Sequence, residues 1–320
     1  MRPRVVIPDD FPSLLATSTA WPRLERWAEA TRHDSLPGSV AELIRRLQGA
    51  EAALNIRASS RFSEDVFAAC PTLRLISVWG TGVDNIDLAA AARRGVTVAN
   101  TPGVNAAAVA EHTLALMLAV ARKIPFSDAE TKAGRWRPTF LTQLRGKTLG
   151  VIGLGAIGRE VARLAQGIGM DVIAWTMRPS PERARALGIT LTEKEELLRQ
   201  ADVVSLHLRL TPEVVDFIGE KDLALMKPTA LLINTARAAL VNQDALVAAL
   251  RSHRIAGAGL DVFHQEPIPP GDSLLTAPNV VLTPHNAGMT PEVIEAGLHR
   301  AVANIEAFFA GHPQNVVGAP

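Results

Sequence analysis

Cysteine is almost absent from this sequence of 320 residues, which contains only Cys70. A single cysteine cannot form an intrachain disulfide and argues against a metal site built from thiolates, so we expect no bound metal. An excess of one charge is also lacking, because 33 lysine and arginine residues stand against 32 aspartate and glutamate residues. This balance argues against a dedicated nucleic-acid or membrane-surface binder, which needs an uneven basic surface.

Long apolar runs are missing as well. No stretch reaches the roughly 18 uncharged apolar residues that a membrane span requires. The apolar run at residues 5–7, behind the basic N-terminus, is far too short for the hydrophobic region of a secretion signal. We therefore expect a cytoplasmic protein without membrane association.

Strand and helix patterns alternate along the chain in two series. Apolar residues make up 48% of the sequence and charged residues 20%, which is typical of a soluble globular protein, and the length suffices for two domains. Strand patterns lie at residues 4–8, 53–57, 73–79 and 96–99, and again at 148–152, 172–175, 203–206, 230–233, 256–262 and 280–282. This alternation predicts an α/β fold with parallel sheets covered by helices.

Two long helices are predicted beside these strands. Residues 105–122 are rich in alanine, leucine and valine and are apolar almost all round, which predicts burial by the chain itself and by a second subunit. A closing helix is expected from about Pro291 to Phe309. Helix N-caps are expected at Thr192, which opens a capping-box pattern with Glu195, and at Asn242.

A glycine-rich loop follows the strand at residues 148–152. Gly153, Gly155 and Gly158 form the pattern G-x-G-x-x-G, and a helical pattern follows directly. These glycines permit a tight turn, close approach of the backbone to a pyrophosphate, and close packing of the helix on the strand. The helix N-terminus then offers free N–H groups to the phosphates, so the loop predicts a dinucleotide site.

The end of the next strand lacks the carboxylate that binds the adenosine ribose in an NAD-preferring site. Thr176 and Arg178 occupy this region instead. Thr176 can bond a 2′-hydroxyl or a 2′-phosphate, and Arg178 can pair with the phosphate or lie in solvent. NAD and NADP both remain open, with NADP favoured.

Three chemically suitable side chains follow the ends of predicted strands. These are Arg237, Glu266 and His285. Reduction of a 2-keto acid needs a cation to clamp the carboxylate, an acid to protonate the alkoxide, and a carboxylate to orient that acid. Arginine, histidine and glutamate suit these roles, and open α/β sheets bind ligands at the carboxyl ends of their strands.

With these residues the chain resembles the D-isomer-specific 2-hydroxyacid dehydrogenases. The matching blocks cover nearly the whole chain and lie at residues 80–87, 100–103, 109–112, 153–158, 234–241, 260–267 and 283–288. The resemblance implies two Rossmann-like parallel-sheet domains. A discontinuous substrate-binding domain comprises residues 1–100 and 288–320, and a dinucleotide-binding domain comprises residues 101–287.

The resemblance also implies roles for individual residues. It makes Arg237 the carboxylate clamp, His285 the acid/base and Glu266 its partner. Around the cofactor it places Ala156 and Ile157 at the pyrophosphate, Thr176 at the ribose, Asp261 near the nicotinamide, and Thr81, Thr235 and Ala236 along the lining. It places the backbone of Trp79 and Gly80, with Arg57 nearby, at the substrate acid group. A homodimer through the helix at residues 105–122 is implied as well.

Two positions depart from the family pattern, since Ala238 stands in place of a glycine and Leu208 in place of a hydroxyl residue.

The favoured function is reduction of a small 2-keto acid to the D-2-hydroxy acid, of the glyoxylate/hydroxypyruvate or the 3-phosphoglycerate type. Arg57 and Arg61 leave a phosphorylated substrate open. The alternatives are a cofactor-sensing, corepressor-like binding protein of the same fold and a formate dehydrogenase-like enzyme.

Overall fold

The computed structural model describes residues 2–57 and 59–318 and divides into two compact units. The first unit joins residues up to 105 with those from 289 onward, and the second comprises residues 106–288. Within the described residues, no helix combines the length and the apolarity needed to cross a membrane.

The chain forms the following elements in the part that the structure describes. The strands are β1 (Arg4–Ile7), β2 (Glu29–Arg32), β3 (Ala52–Asn55), β4 (Leu75–Val78), β5 (Thr97–Ala99), β6 (Thr148–Ile152), β7 (Asp171–Trp175), β8 (Thr190–Leu191), β9 (Val203–Leu206), β10 (Leu231–Asn234), β11 (Gly257–Leu260) and β12 (Val280–Leu282). The helices are α1 (Ala20–Glu25), α2 (Val40–Leu47), α3 (Glu64–Ala69), α4 (Leu88–Arg93), α5 (Ala106–Ala121), α6 (Ile124–Lys132), α7 (Ala156–Gly167), α8 (Pro181–Ala186), α9 (Lys194–Gln200), α10 (Glu220–Leu225), α11 (Gln243–Arg251) and α12 (Pro291–Phe309).

The first unit contains a five-stranded parallel sheet in the order β2-β1-β3-β4-β5. Its strands alternate between two buried faces, as the period of two along a strand requires. Val6 and Ile76 pack with α2, α3 and α4 on one face, whereas Val5 and Leu75 pack with α1 and α12 on the other. The strand order reverses between β1 and β3, which makes the carboxyl ends of these strands the topological switch point.

The second unit contains a seven-stranded parallel sheet in the order β12-β11-β10-β9-β6-β7-β8. One face packs against α5 and α7 and the other against α9, α10 and α11. Here the strand order reverses between β6 and β9. Ligands of open α/β sheets bind beside such a reversal, so the glycine loop after β6 lies where a nucleotide is expected.

The prediction of two Rossmann-like α/β sheets is confirmed. The long helix predicted at residues 105–122 is α5, and the closing helix is α12. Asn242 caps α11 as predicted, because its side chain accepts the Ala245 N–H at 3.0 Å. The N-cap prediction at Thr192 is wrong: α9 begins after Glu193, so the pattern starts one residue too early.

The sequence patterns missed the two short edge strands, β2 and β8. The four residues of β2 carry few apolar side chains and are exposed or half-buried, because β2 pairs on one side only. With two residues, β8 is too short to show any period. Neither strand carries a predicted site residue.

Candidate active site

The glycine loop connects β6 to α7 in the conformation that its spacing predicts. Gly153 has φ = 100°, in a region that residues with a Cβ rarely adopt. A Cβ on Gly153 would lie 2.7 Å from the His207 carbonyl oxygen, and a Cβ on Gly158 would overlap the carbonyl oxygen of Gly153. The glycines at these two positions are therefore required for the loop to close onto the strands.

The loop fits the pyrophosphate of a dinucleotide. Gly155 is the N-cap of α7, and a glycine has no side chain that could satisfy the first N–H groups of the helix. Those amides, from Ala156 and Ile157 onward, belong to a helix of 12 residues whose dipole favours an anion at this end. The predicted phosphate-binding residues are thus brought together by the strand-loop-helix geometry.

The predicted ribose-binding residues follow β7, which pairs directly with β6. Thr176 is half-buried, whereas Met177 and Arg178 are exposed. The preceding Trp175 packs on Phe217 with the ring centroids 4.9 Å apart. Thr176 and Arg178 therefore follow a strand end that lies beside the glycine loop, because the Gly153 amide donates to the Trp175 carbonyl oxygen at 2.8 Å.

Thr235 and Ala236 lie at the end of β10. The Asn234 side chain accepts the Ala236 N–H at 3.0 Å and donates to the Arg237 carbonyl oxygen at 2.9 Å, which fixes this turn. The hydroxyl of Thr235 is buried and lies 2.9 Å from that of Thr113 on α5. Ala238, where the family has a glycine, begins a short 3₁₀ helix, Ala238–Leu240.

Arg237, Glu266 and His285 follow β10, β11 and β12, which are adjacent strands of the sheet. The Nδ1 atom of His285 lies 2.7 Å from a carboxylate oxygen of Glu266. A carboxylate only accepts hydrogen bonds, so Nδ1 carries the hydrogen and Nε2 is left to exchange a proton with a substrate. Arg237 is anchored through Nη1, which donates to the Ala236 carbonyl oxygen at 2.8 Å.

The electrostatics of Glu266 support this pairing. Burial raises the pKa of Glu266, but hydrogen bonds from His285 and the Phe263 amide outweigh this effect, and the positive charges of His285 and Arg237 add to them. The pKa of Glu266 is therefore held below its usual range. An ionised Glu266 stabilises a positive charge on the neighbouring imidazole.

Asp261 lies at the end of β11 and is 1% exposed. Its oxygens accept three hydrogen bonds, from the Thr283 hydroxyl at 2.6 Å and from the amides of Asn286 and Ala287 at 3.1 and 3.0 Å. Asp261 thus holds the segment that carries His285, an anchoring role additional to the cofactor contact that the sequence predicts for it.

Apart from Arg237, the predicted substrate-binding residues Arg57, Trp79 and Gly80 lie in the first unit, after β3 and β4. The Nε and Nη2 atoms of Arg57 donate to the carbonyl oxygens of Phe11 and Pro12, both at 2.8 Å. The amide of Trp79 donates to the Asn55 carbonyl oxygen at 2.9 Å, and that of Gly80 donates to the Thr101 hydroxyl at 2.8 Å.

Thr81, predicted to line the cofactor, follows in the same loop of the first unit. Its carbonyl oxygen accepts a hydrogen bond from the Asn100 side chain at 2.7 Å. Its side chain is exposed.

Three further residues, His112, Thr283 and Asp9, make polar contacts near these loops that the sequence does not predict. His112 is one of the few polar residues of α5, and a polar side chain in a mostly apolar helix is the feature of the sequence that could have indicated a role for it. Thr283 follows β12 directly and Asp9 follows β1 after one residue, much as Arg237 and His285 follow their strands closely. Their partners lie far away along the chain, so spacing alone could not reveal them.

Known proteins resemble this chain in sequence and in structure. Residues 114–287 match the family model of the NAD-binding domain of D-isomer-specific 2-hydroxyacid dehydrogenases. A glyoxylate reductase of Korarchaeum cryptofilum is 38% identical over 325 residues, which cover 99% of this chain and 96% of that relative. A D-3-phosphoglycerate dehydrogenase of Archaeoglobus fulgidus is 42% identical over 253 residues, which cover 78% of this chain and 48% of that longer relative.

Among solved structures, a protein of Thermus thermophilus matches with a TM-score of 0.89 and 40% identity, covering 98% of this chain and 99% of that chain. These likenesses confirm the family and the dependence on NAD or NADP that the motifs predict. The chain belongs to the D-isomer-specific 2-hydroxyacid dehydrogenase family and is an NAD(P)-dependent oxidoreductase of this type.

Proposed function

We propose that the protein reduces hydroxypyruvate to the D-2-hydroxy acid D-glycerate and glyoxylate to glycolate, which is achiral. The observation that carries the proposal is the hydrogen bond of 2.7 Å between His285 Nδ1 and Glu266, at the strand ends beside Arg237. Similarity to a glyoxylate reductase along almost the full chain supports the substrate class.

The roles of the residues follow from their chemistry. The bound NAD(P)H supplies the hydride. Arg237 clamps the substrate carboxylate and polarises the keto group with its planar fork of N–H donors. His285 donates a proton from Nε2 to the oxygen that becomes the alcohol, and Glu266 holds the ring and stabilises its charged form.

The second unit is proposed as the dinucleotide-binding domain and the first as the substrate-binding domain. The match of residues 114–287 to an NAD-binding domain and the open N-terminus of α7 support the first assignment. The proposed cofactor-binding residues are Thr81, Gly153, Gly155, Ala156, Ile157, Gly158, Thr176, Arg178, Thr235, Ala236 and Asp261. Arg57, Trp79 and Gly80 are proposed to contact the substrate.

An unphosphorylated substrate is favoured because the glyoxylate reductase matches over 96% of its own length and the D-3-phosphoglycerate dehydrogenase over only 48%. Arg57 does not decide between the two classes, because its two bonds to backbone carbonyls use only two of the five N–H donors of the guanidinium. The test measures NADH and NADPH oxidation with glyoxylate, hydroxypyruvate, phosphohydroxypyruvate and pyruvate. We expect the highest kcat/KM for the first two acids and D-glycerate as the product from hydroxypyruvate. No turnover of any acid, or an L-product, would contradict the proposal.

NADP is proposed as the preferred cofactor. The end of β7 offers the hydroxyl of Thr176 and the exposed cation of Arg178 and carries no acidic residue between them. We expect Arg178→Gln to weaken NADPH binding about tenfold in a fluorescence titration while leaving NADH binding unchanged. Arg183→Gln, an exposed arginine on α8, is the matched control. Equal weakening of both cofactors would count against the assignment.

A homodimer through α5 is proposed. The outer residues Ala107, Glu111 and Ala115 are exposed, although they belong to a helix of mostly apolar residues. The following segment of the same unit exposes large apolar side chains, among them Trp136 (85%) and Phe140 (98%). Apolar surface of this kind is typical of an interface.

Sedimentation of the wild type is expected to show a dimer. The double substitution Trp136→Ala with Phe140→Ala should shift it toward the monomer, whereas Val215→Ala, at another exposed apolar position, should not. A wild-type monomer at all concentrations would refute this assembly.

A further inference from the structure

The segment that carries His285 needs an external anchor. His285 has φ = 51°, a left-handed conformation that residues with a Cβ rarely adopt. Its amide donates to the Thr283 carbonyl oxygen at 3.0 Å, which tightens the turn without connecting it to the rest of the unit. The side chain is 43% exposed, so burial does not lock the imidazole in place.

Asp261 supplies this anchor on both sides of His285. Oδ1 accepts the hydroxyl of Thr283, two residues before His285, and the amide of Asn286, directly after it. Oδ2 accepts the amide of Ala287. Three donors on one buried carboxylate define the course of the turn, because a displaced turn would leave buried donors unpaired.

The direction of these hydrogen bonds also indicates whether Nε2 of a second histidine, His112, carries a hydrogen. Thr283 has one hydroxyl hydrogen, and the carboxylate of Asp261 can only accept it. His112 Nε2 lies 2.9 Å from the same hydroxyl oxygen and 3.6 Å from the nearer oxygen of Asp261. Thr283 must therefore accept from His112, and Nε2 of His112 carries a hydrogen.

His112 belongs to α5, and the neighbouring residue of that helix makes a second link to the sheet. The Thr113 hydroxyl bonds to that of Thr235, which follows β10, and the Thr113 side chain is fully buried. Adjacent residues of one helix thus reach the ends of β10 and β12. These strand ends precede Arg237 and His285 respectively.

We propose that His112 is a positioning residue, which holds Thr283 and Asp261 in the arrangement that orients His285. The proposal rests on the acid/base role proposed above for His285. Without the bond from His112, Thr283 and Asp261 would hold the turn less firmly and His285 would be placed less accurately against Glu266 and the substrate, so the effect falls on the rate of proton transfer. Substrate affinity depends mainly on Arg237 and NADPH affinity mainly on the glycine loop, so both should change little even though Asp261 is also proposed to contact the cofactor.

The experiment compares His112→Ala with His112→Gln. Glutamine retains an N–H donor at a reach similar to that of Nε2, whereas alanine removes it. We expect alanine to lower kcat for glyoxylate reduction about tenfold, with KM and the dissociation constant of NADPH within about twofold of wild type. Glutamine should restore most of kcat. The exposed His312→Ala in the other unit is the matched control and should behave as wild type.

Thr283→Val tests the route of the effect. It removes the hydroxyl with little change of shape, and with it both the contact to His112 and the bond to Asp261, so it should lower kcat at least as much as His112→Ala. The double variant should be no worse than Thr283→Val alone, because that substitution already removes the contact to His112. Fully multiplicative losses would show that His112 acts elsewhere and would overturn the proposal.

Hydrogen exchange gives a readout that does not depend on turnover. The amides of Asn286 and Ala287 should exchange faster in His112→Ala than in wild type and recover in His112→Gln. If the wild type fails to reduce any 2-keto acid, the proposed function fails, and the exchange result still decides whether His112 holds the turn. Unchanged exchange, unchanged kcat, or equal loss with alanine and glutamine would each refute the positioning role.

Discussion

The two units are built alike, but the loop that a buried aspartate holds in each unit carries a different functional side chain. Each has a parallel sheet whose strand order reverses once, and each has a buried aspartate after a strand. In the first unit Asp9 accepts the Asn55 side chain at 2.6 Å and the amides of Ile56 and Arg57 at 2.9 and 3.1 Å. In the second, Asp261 accepts three donors from residues 283–287.

The side chains on these two loops have different surroundings. Arg57 is half-buried and donates to two backbone carbonyl oxygens. A guanidinium stays protonated in proteins, so Arg57 can bind a negative charge but cannot supply a proton. His285 is paired through Nδ1 with an ionised carboxylate and keeps a second nitrogen for proton transfer. A buried aspartate that accepts three hydrogen bonds thus holds the loop of a binding group, Arg57, in one unit and the loop of an acid/base group, His285, in the other.

The largest expected effect comes from removing the two aspartates. Asp9→Ala and Asp261→Ala each leave three donors without their acceptor, and we expect the free energy of unfolding to fall by about 3 kcal/mol in each case. In the folded fraction, Asp9→Ala should mainly raise KM and Asp261→Ala should mainly lower kcat. Urea denaturation and steady-state kinetics measure both quantities. If Asp9→Ala and Asp261→Ala lowered kcat equally, the loop of the first unit would not be limited to binding, which would contradict the proposed difference between the units.

The glycine loop has no counterpart after β1, where the chain continues as Pro8-Asp9-Asp10. Gly158→Ala would force a Cβ onto a backbone carbonyl oxygen, and we expect a loss of about 2 kcal/mol of stability together with weaker NADPH binding. Gly167→Ala, at a helical glycine whose Cβ would meet no described atom within 4 Å, is the control and should be neutral or stabilising. Normal cofactor binding by Gly158→Ala would show that close approach of the backbone is not needed.

The pairing of His285 with Glu266 predicts a particular dependence on pH. Because the pKa of Glu266 is lowered, its stabilising charge is present above the usual pKa of a glutamate and is lost only as the pH falls through the lowered value. Glu266→Gln removes this charge at every pH. We expect kcat for reduction at pH 7 to fall about tenfold, with a smaller deficit only as the pH falls through the lowered pKa of Glu266, because the wild type then loses the same charge. A deficit that is constant with pH would mean that Glu266 only orients the ring.

The smallest expected effects concern helix caps, which should be alike in both units. Ser39 caps α2 by accepting the Glu42 amide at 3.2 Å, and Asn242 caps α11. Replacement of either by alanine should cost about 1 kcal/mol in thermal denaturation. Ser63→Ala is the control, because within the described part of the chain the Ser63 side chain makes no cap to α3. A comparable loss with Ser63→Ala would show that the caps contribute little.

The features that the sequence predicts are those that depend on residues close together along the chain. The pattern of Gly153, Gly155 and Gly158 lies within six residues and specifies its own turn, and Arg237, Glu266 and His285 each follow an apolar strand pattern closely. Strand order brings their carboxyl ends to one edge without further information. The roles of these residues stay predictions until they are measured.

The features that the sequence did not reveal depend on distant partners or on weak patterns. The strand β2 has little apolar alternation because it is an edge. The contact between His112 and Thr283 joins residues that are 171 positions apart, and Asp261 reaches residues 22 to 26 positions away. Such contacts follow from packing of the whole unit, which local spacing cannot describe.

The acid/base role of His285 is tested most directly by kcat of His285→Ala for glyoxylate reduction, compared with wild type at the same pH. We predict a fall of about 100-fold or more, with unchanged NADPH binding and little change of the melting temperature, because the variant loses its proton donor and, beyond that, only a partly exposed pairing with Glu266. Turnover close to that of the wild type would contradict the acid/base role of His285, and with it the distinction between the two units.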